Sequence, residues 1–363
     1  MPMAHTLLAL ALLSSAAPTA AGASESATVR CRLHVLPVAL AQGAPPTSWV
    51  LGELCAAGER PKTGAPLQVL LHGATYDHTY WNHGPVNGVD YSYARALAAA
   101  GIPTFAYDDV GAGFSAHPPS TLPAFAEPFS DAAYILHQVV DHARGGALEG
   151  TRFGKVITVG NSLGSLIAWA EADRFQDVDG VIATGMIHHL APAVVQAITD
   201  NFQPARLDPA FSWTGLDDGY LTTRPGSRAT IFYDTADGDA DPRVIALDEE
   251  HKDVAHGGLI VGGLGQTVVR QANIDVPVLA LIGAHDVFCD ADYPCASSRA
   301  VAEAEAPHYG PKASVQACAV PRAAHSLALH IRGHAIAEAA SIGWTRRILA
   351  GERPSGAAPG CSP

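Results

Sequence analysis

The stretch KVITVGNSLG, residues 155–164, limits the fold more tightly than any other part of the chain. The apolar or β-branched residues Val156, Ile157, Thr158 and Val159 run without a break, which suits a buried strand better than an amphipathic helix. The run ends in Gly160-Asn161-Ser162-Leu163-Gly164. Glycines on both sides of one serine fit a strand that turns sharply into a helix, because a chain without Cβ atoms can pass close to itself. Ser162 would then stand on a strained corner at a helix N-terminus, where unpaired backbone N–H groups face an incoming oxyanion.

The surroundings of this stretch alternate short apolar runs with helical patterns. Strands are expected at 67–73, 104–109, 178–185, 276–283 and 314–320. A helix over 92–101 would be capped by Ser92 and stopped by Gly101. Another over 130–145 carries Ile135, Leu136, Val139, Val140 and Ala143 at helical spacing, with Ser130 as its cap and Gly145 as its end. Alternation of this kind yields an α/β fold, a mostly parallel sheet with helices on both faces. One helix or a broken pair is expected over 326–350, followed by an irregular tail, 351–363, held by Cys361. Residues 186–275 show no such alternation. They read as a cap inserted over the C-terminal edge of the sheet, where ligands bind in open α/β sheets. The core would then comprise residues 24–185 and 276–350.

With 363 residues, 48% of them hydrophobic, the chain can bury a substantial core. A formal charge of −13 leaves nothing to neutralise a row of phosphates, so a nucleic-acid partner is excluded, and docking on anionic membranes is disfavoured. At the start, Leu7–Leu13 form an apolar run and Ala21-Gly22-Ala23 a small-residue site. Residues 1–23 are therefore expected to be a secretory signal peptide. No stretch approaches the roughly 18 apolar residues of a membrane span, so stable membrane insertion is not expected. The sequence leaves the oligomeric state open. Six cysteines, Cys31, Cys55, Cys289, Cys295, Cys318 and Cys361, suit disulfides in an exported chain. Proximity favours Cys31–Cys55 and Cys289–Cys295, which leaves Cys318–Cys361. Ligand spacing for a metal is absent, and no cofactor motif stands out.

A serine hydroxyl becomes nucleophilic when a neighbouring base takes its proton and an acid orients that base. For a serine on this kind of turn the acid follows in the chain and the histidine comes last. Asp286, just beyond the strand at 276–283, is preferred over Asp290, which sits beside Cys289. His325, in the loop after the last strand, is preferred over His330, which is expected inside the final helix as a packing or surface residue. The loop LHGATYDHTYW, 71–81, would supply an oxyanion donor from the N–H of Ala74, or less favourably Thr75, alongside that of Leu163. Tyr76, His78 and Trp81 are candidate pocket residues, as are His188, His189, Phe202, Trp213 and Tyr220 from the insertion. Asp108 and Asp109 are expected to hydrogen-bond the backbone of the tight turn DDVGAGFS, 108–115.

In their order, LHGATYDHTYW, DDVGAGFS, GNSLGS (160–165), GAHD (283–286) and AAHS (323–326) resemble the α/β-hydrolase superfamily over roughly residues 67–350. The chain is more closely similar to secreted bacterial and fungal serine hydrolases with an H-G-A-T-Y-D-x-x-Y-W oxyanion loop. That group also shares a segment like DDGYLTTRPGSR (217–228) followed by Phe232-Tyr233, and a cysteine pair after the acid strand. Two departures stand out: Asn161 occupies a position where many relatives have His, and AAHS lacks a Gly often found before the base. The resemblance implies Ser162 as nucleophile, Asp286 as acid, His325 as base and Ala74 with Leu163 as oxyanion hole. A small or lipid-like carboxylic ester or lactone is the expected substrate. Acyl transfer, peracid or carbon–carbon chemistry on the same triad, and non-catalytic ligand binding, are the alternatives.

Overall fold

The computed structural model describes residues 28–362 apart from 123, 124, 237, 238 and 294. The expected signal peptide therefore lies outside the described residues. In chain order the strands are β1 (Val29–Val38), β2 (Ser48–Ala57), β3 (Pro66–Leu71), β4 (Pro85–Val86), β5 (Val89–Asp90), β6 (Thr104–Tyr107), β7 (Lys155–Asn161) and β8 (Gly180–Thr184). After them come β9 (Phe202–Pro204), β10 (Tyr220–Thr223), β11 (Ala255–His256), β12 (Val278–Gly283), β13 (Val315–Val320) and β14 (Gly356–Ala357). The helices are α1 (Tyr93–Ala99), α2 (Pro128–Gly145), α3 (Leu163–Phe175), α4 (Pro192–Asn201), α5 (Arg228–Ile231), α6 (Pro242–Glu250), α7 (Gly257–Gln266), α8 (Ser298–Glu305) and α9 (Gly333–Leu349).

The main sheet runs β1-β2-β6-β3-β7-β8-β12-β13-β14. β1, β2 and β6 pair antiparallel, and the other pairs are parallel. Its central strands are apolar on both sides, as a doubly covered sheet requires. In β12, Val278, Ala280 and Ile282 face a core shared with α2, α3 and α8, whereas Leu279 and Leu281 face the core under α1 and α9. β7 lies in the middle, paired with β3 and β8, so its C-terminal end opens at the centre of the sheet edge.

The expected helix over 130–145 begins two residues earlier. Pro128, preorganised for a first turn, starts it after Glu127, so Ser130 is not its cap. The hairpin of β1 and β2 and the small antiparallel sheet β11-β10-β9 were not anticipated. The tail is not irregular throughout: β14 adds a last parallel strand to β13, and Ala358 N–H donates to Ala317 O. The disulfides are Cys31–Cys55, Cys289–Cys295 and Cys318–Cys361, the last tying this tail to β13. Residues 186–275 contribute α4 to α7 and the small sheet, and no strand of the main one. Among the described residues no helix is long and apolar enough to cross a membrane.

Candidate active site

The turn between β7 and α3 shows why its flanking residues are small. A Cβ on Gly160 would sit 2.2 Å from the Ser165 nitrogen, and one on Gly164 would sit 2.4 Å from the Leu71 carbonyl oxygen. Ser162 holds φ 52° and ψ −117°, a strained conformation for a residue with a side chain. Its N–H donates to Thr184 O at 2.8 Å, and its carbonyl accepts from Ser165 N at 2.9 Å, which fixes the corner. Leu163 is the first residue of α3, so its N–H has no partner within the helix.

His325 lies beyond β13 and Asp286 beyond β12, which are neighbours in the sheet. The two loops pass closely because Gly283 lacks a Cβ, which would meet Ala323 O at 2.3 Å. His325 Nδ1 lies 3.0 and 3.1 Å from the two carboxylate oxygens of Asp286, and both residues are buried. With Nδ1–H donated to the carboxylate, Nε2 carries the lone pair a general base needs. The rings of Phe232 and Phe288 lie near-parallel to the imidazole, with centroids 5.7 and 5.5 Å away. Asp286 Oδ1 also accepts from Phe288 N–H, which anchors the acid and one aromatic wall together.

His330 is not within the final helix. It follows a single turn of 3-10 helix, Leu327–Leu329, and precedes α9. Its Nδ1–H donates to Ser326 O at 2.9 Å, and its Nε2 accepts from Ala324 N–H at 3.1 Å. Both sides of His325 are thereby clasped by one ring. Burial lowers the pKa of His330, keeping the neutral form that can both donate and accept.

On the opposite side, Gly73 to Tyr76 form a turn closed by Tyr76 N–H to Gly73 O. His72 braces this turn: Nδ1–H donates to Gly73 O at 2.8 Å, and Nε2 accepts from Asp109 N–H at 3.0 Å. Asp109 Oδ1 accepts from Val110 N–H, while Asp108 accepts from the His78 and Phe114 N–H groups and from His78 Nδ1.

Ser162, His325, Ala74 and Leu163 all line one narrow cavity of about 70 Å³. Tyr76 and Phe202 line it too, as do Val194, Ile198, Ile260 and Leu264 from the insertion. The sequence singled out none of these last four, which carry no chemistry and reach the cavity only through folding. Trp81 and His188, expected in the pocket, lie elsewhere. Trp81 packs against Tyr80 and Tyr93 in the core. His188 is stacked between Trp169 and His308 and hydrogen-bonded to Glu305 and Gln271. His189 pairs with Asp290, Tyr220 is buried with its hydroxyl on Pro118 O, and Trp213 is 80% exposed beside a separate cleft.

Three groups of potential metal-ligand atoms occur among the described residues: Cys31–Glu53–Cys55, Asp77–His78–Asp108 and His137–Asp141–Asp177. The first contains a disulfide. In the others, His78 and His137 are each hydrogen-bonded to a carboxylate at 2.7 Å. None of these residues lines the cavity beside Ser162.

The solved structures that resemble this fold include a lipase in its open form, 16% identical, with a TM-score of 0.54 over 87% of this chain and 99% of the other. A peroxisomal α/β-hydrolase of Saccharomyces cerevisiae is 10% identical, with a TM-score of 0.52 over 90% and 92%. A soluble variant of monoglyceride lipase from the same yeast, in complex with a substrate analogue, is 13% identical, with a TM-score of 0.52 over 85% and 94%. No curated protein matches the sequence. Residues 88–308 match the family described as serine aminopeptidase, S33, a span that includes Ser162 and Asp286 and stops before His325. The match covers more than half of the chain, which therefore belongs to this family of α/β-hydrolases.

Proposed function

We propose that the protein is a secreted serine hydrolase that cleaves carboxylic esters or lactones through an acyl-enzyme. Ser162 Oγ attacks the carbonyl carbon while His325 Nε2 takes its proton. Asp286 steadies the imidazolium, and the N–H groups of Ala74 and Leu163 receive the oxyanion. The protonated His325 then hands its proton to the leaving oxygen, and a water molecule repeats the sequence to release the acid. The observation that carries this reading is the convergence of Ser162, His325 and both candidate donors on one cavity. Residues 186–275 act as its cap, and the oxyanion loop aligns the protein with the secreted group that shares it. Three disulfides fit an oxidising compartment, in keeping with export.

The family's name raises peptides as substrates. Capture of a peptide's α-ammonium calls for a carboxylate facing the cavity, and no Asp or Glu lines it among the described residues. Its walls are overwhelmingly apolar, which suits an uncharged acyl group, and lipases are among the solved structures that share the fold. The test is hydrolysis of p-nitrophenyl esters and lactones by the purified protein and by Ser162→Ala, together with labelling by a fluorophosphonate. Activity and labelling are expected in the wild type and lost from the variant by at least about a thousandfold. A Ser162→Ala protein that kept its activity would overturn the assignment.

A further inference from the structure

The acyl chemistry above uses neither Arg228 nor Asp248, yet these residues form a buried ion pair against the site. Arg228 exposes none of its surface and Asp248 only 4%. The guanidinium Nε and Nη2 donate to Asp248 Oδ2 and Oδ1 at 3.0 and 2.9 Å. Its Nη1 donates to Thr75 Oγ1 at 3.0 Å and to the Thr75 carbonyl at 3.2 Å. The guanidinium also lies 4.1 Å from the Tyr76 ring centroid and 4.8 Å from that of Phe232.

Thr75 has reason to need such a hold. It follows Ala74 and has φ 62°, in the left-handed region that a β-branched residue adopts only under compulsion. The turn that aims the Ala74 N–H exists only while Thr75 keeps that conformation. Besides Arg228, the Asp253 N–H donates to the Thr75 carbonyl at 2.9 Å. The opposite loop is reached by the same pair. Asp248 Oδ2 accepts from the hydroxyls of Tyr76 and Tyr233, and the Tyr76 hydroxyl meets Ser326 Oγ at 2.7 Å. Ser326 follows His325, and its N–H donates to Phe232 O at the end of α5.

We propose that the buried Arg228–Asp248 pair is a positioning device, through which the insertion holds the Ala74 turn and the His325 loop in the register that acyl transfer needs. Neither residue touches the reacting atoms. The inference rests on the acyl-enzyme reading, since it concerns where that chemistry's donor and base stand. A fork of donors spanning a carboxylate, a carbonyl and a hydroxyl is work that lysine's single ammonium cannot repeat.

The test compares the wild type with Arg228→Lys, Arg228→Met and the double variant Arg228→Met/Asp248→Leu, using p-nitrophenyl butyrate, a trifluoromethyl ketone inhibitor and thermal melting. The double variant removes both charges together, a change that buried pairs commonly tolerate, so it decides the matter where Arg228→Met fails to fold. Should neither fold, Arg228→Lys decides it. In folded variants kcat is expected to fall about ten- to a hundredfold with KM changed less than about threefold. The inhibition constant of the ketone, whose adduct places an oxyanion on the same donors, should rise by the same factor as kcat falls. Folded variants that keep kcat within about twofold of wild type, or that lose kcat without weakening the ketone, would overturn the proposal. A wild type without ester hydrolysis would instead remove the acyl reading beneath it.

Discussion

Glu171 is fully buried in α3, and neither of its carboxyl oxygens has a hydrogen-bond donor among the described residues. Burial first, and then the neighbouring Asp177, push its pKa well above the ordinary 4.5, so the folded protein holds it neutral. A carboxyl whose pKa is raised by folding contributes nothing adverse below pH 4.5 and costs stability as the pH climbs beyond it. Glu171→Gln should therefore raise Tm at neutral pH by a few degrees, equivalent to about 1–2 kcal/mol, with the gain vanishing near pH 4. Melting curves of both proteins across that range check it. Single residues were legible in the sequence where their meaning is local. Ser162 with Gly160 and Gly164 is one such case, because a sharp turn needs small neighbours in its own segment. His188 and Trp81 show the opposite. A residue type reveals what a side chain can bind, not which side of a sheet it will face, and both are packed into the interior. Arg228 entered only as the last residue of the shared segment 217–228, with no role attached, because its partners Thr75 and Asp248 are distant in the chain.

At the scale of elements, β7, its turn and α3 behave as one rigid corner. Gly164→Ala would drive a methyl group against the Leu71 carbonyl, which is backbone and cannot swing aside. A cost of about 3 kcal/mol or more and loss of activity are expected, read by denaturant melts and ester turnover. α7 tunes the cavity from above. Ile260 and Leu264 line it, and Gly262 and Gly263 let the helix settle against Phe129 and Leu163. Ile260→Ala and Leu264→Ala should widen the narrow space and shift preference towards longer acyl chains, improving kcat/KM for an octanoyl over a butyryl ester by about tenfold. A panel of chain lengths measures the shift. The central parallel strands were legible as predominantly apolar runs, interrupted only by single buried polar residues such as Gln68 in β3 and Gln316 in β13. β1 and β14 were not read as strands: β1 carries an alternation of apolar and polar residues from Val29 to Val35 that went unused, whereas β14 is two residues long and leaves no hydrophobic signature.

For the whole molecule, the disulfides divide the labour. Cys318–Cys361 closes a loop of 43 residues and keeps β14 on β13, the strand that leads to His325. Replacing both cysteines with serine should lower stability by about 4 kcal/mol on loop-closure grounds, seen as a drop in Tm of several degrees. Calorimetry of the double variant tests this. Cys31–Cys55 acts at the far side, where β1 is the outermost strand and exposes Leu33 and Val35. These two cysteines sit directly opposite each other in the β1–β2 register. A boundary strand with an open backbone and greasy side chains invites exchange with another copy, or stacking into ribbons. Riveted to its neighbour near its start, at Cys31, this one can neither slip along its partner nor be traded away while that covalent bond holds.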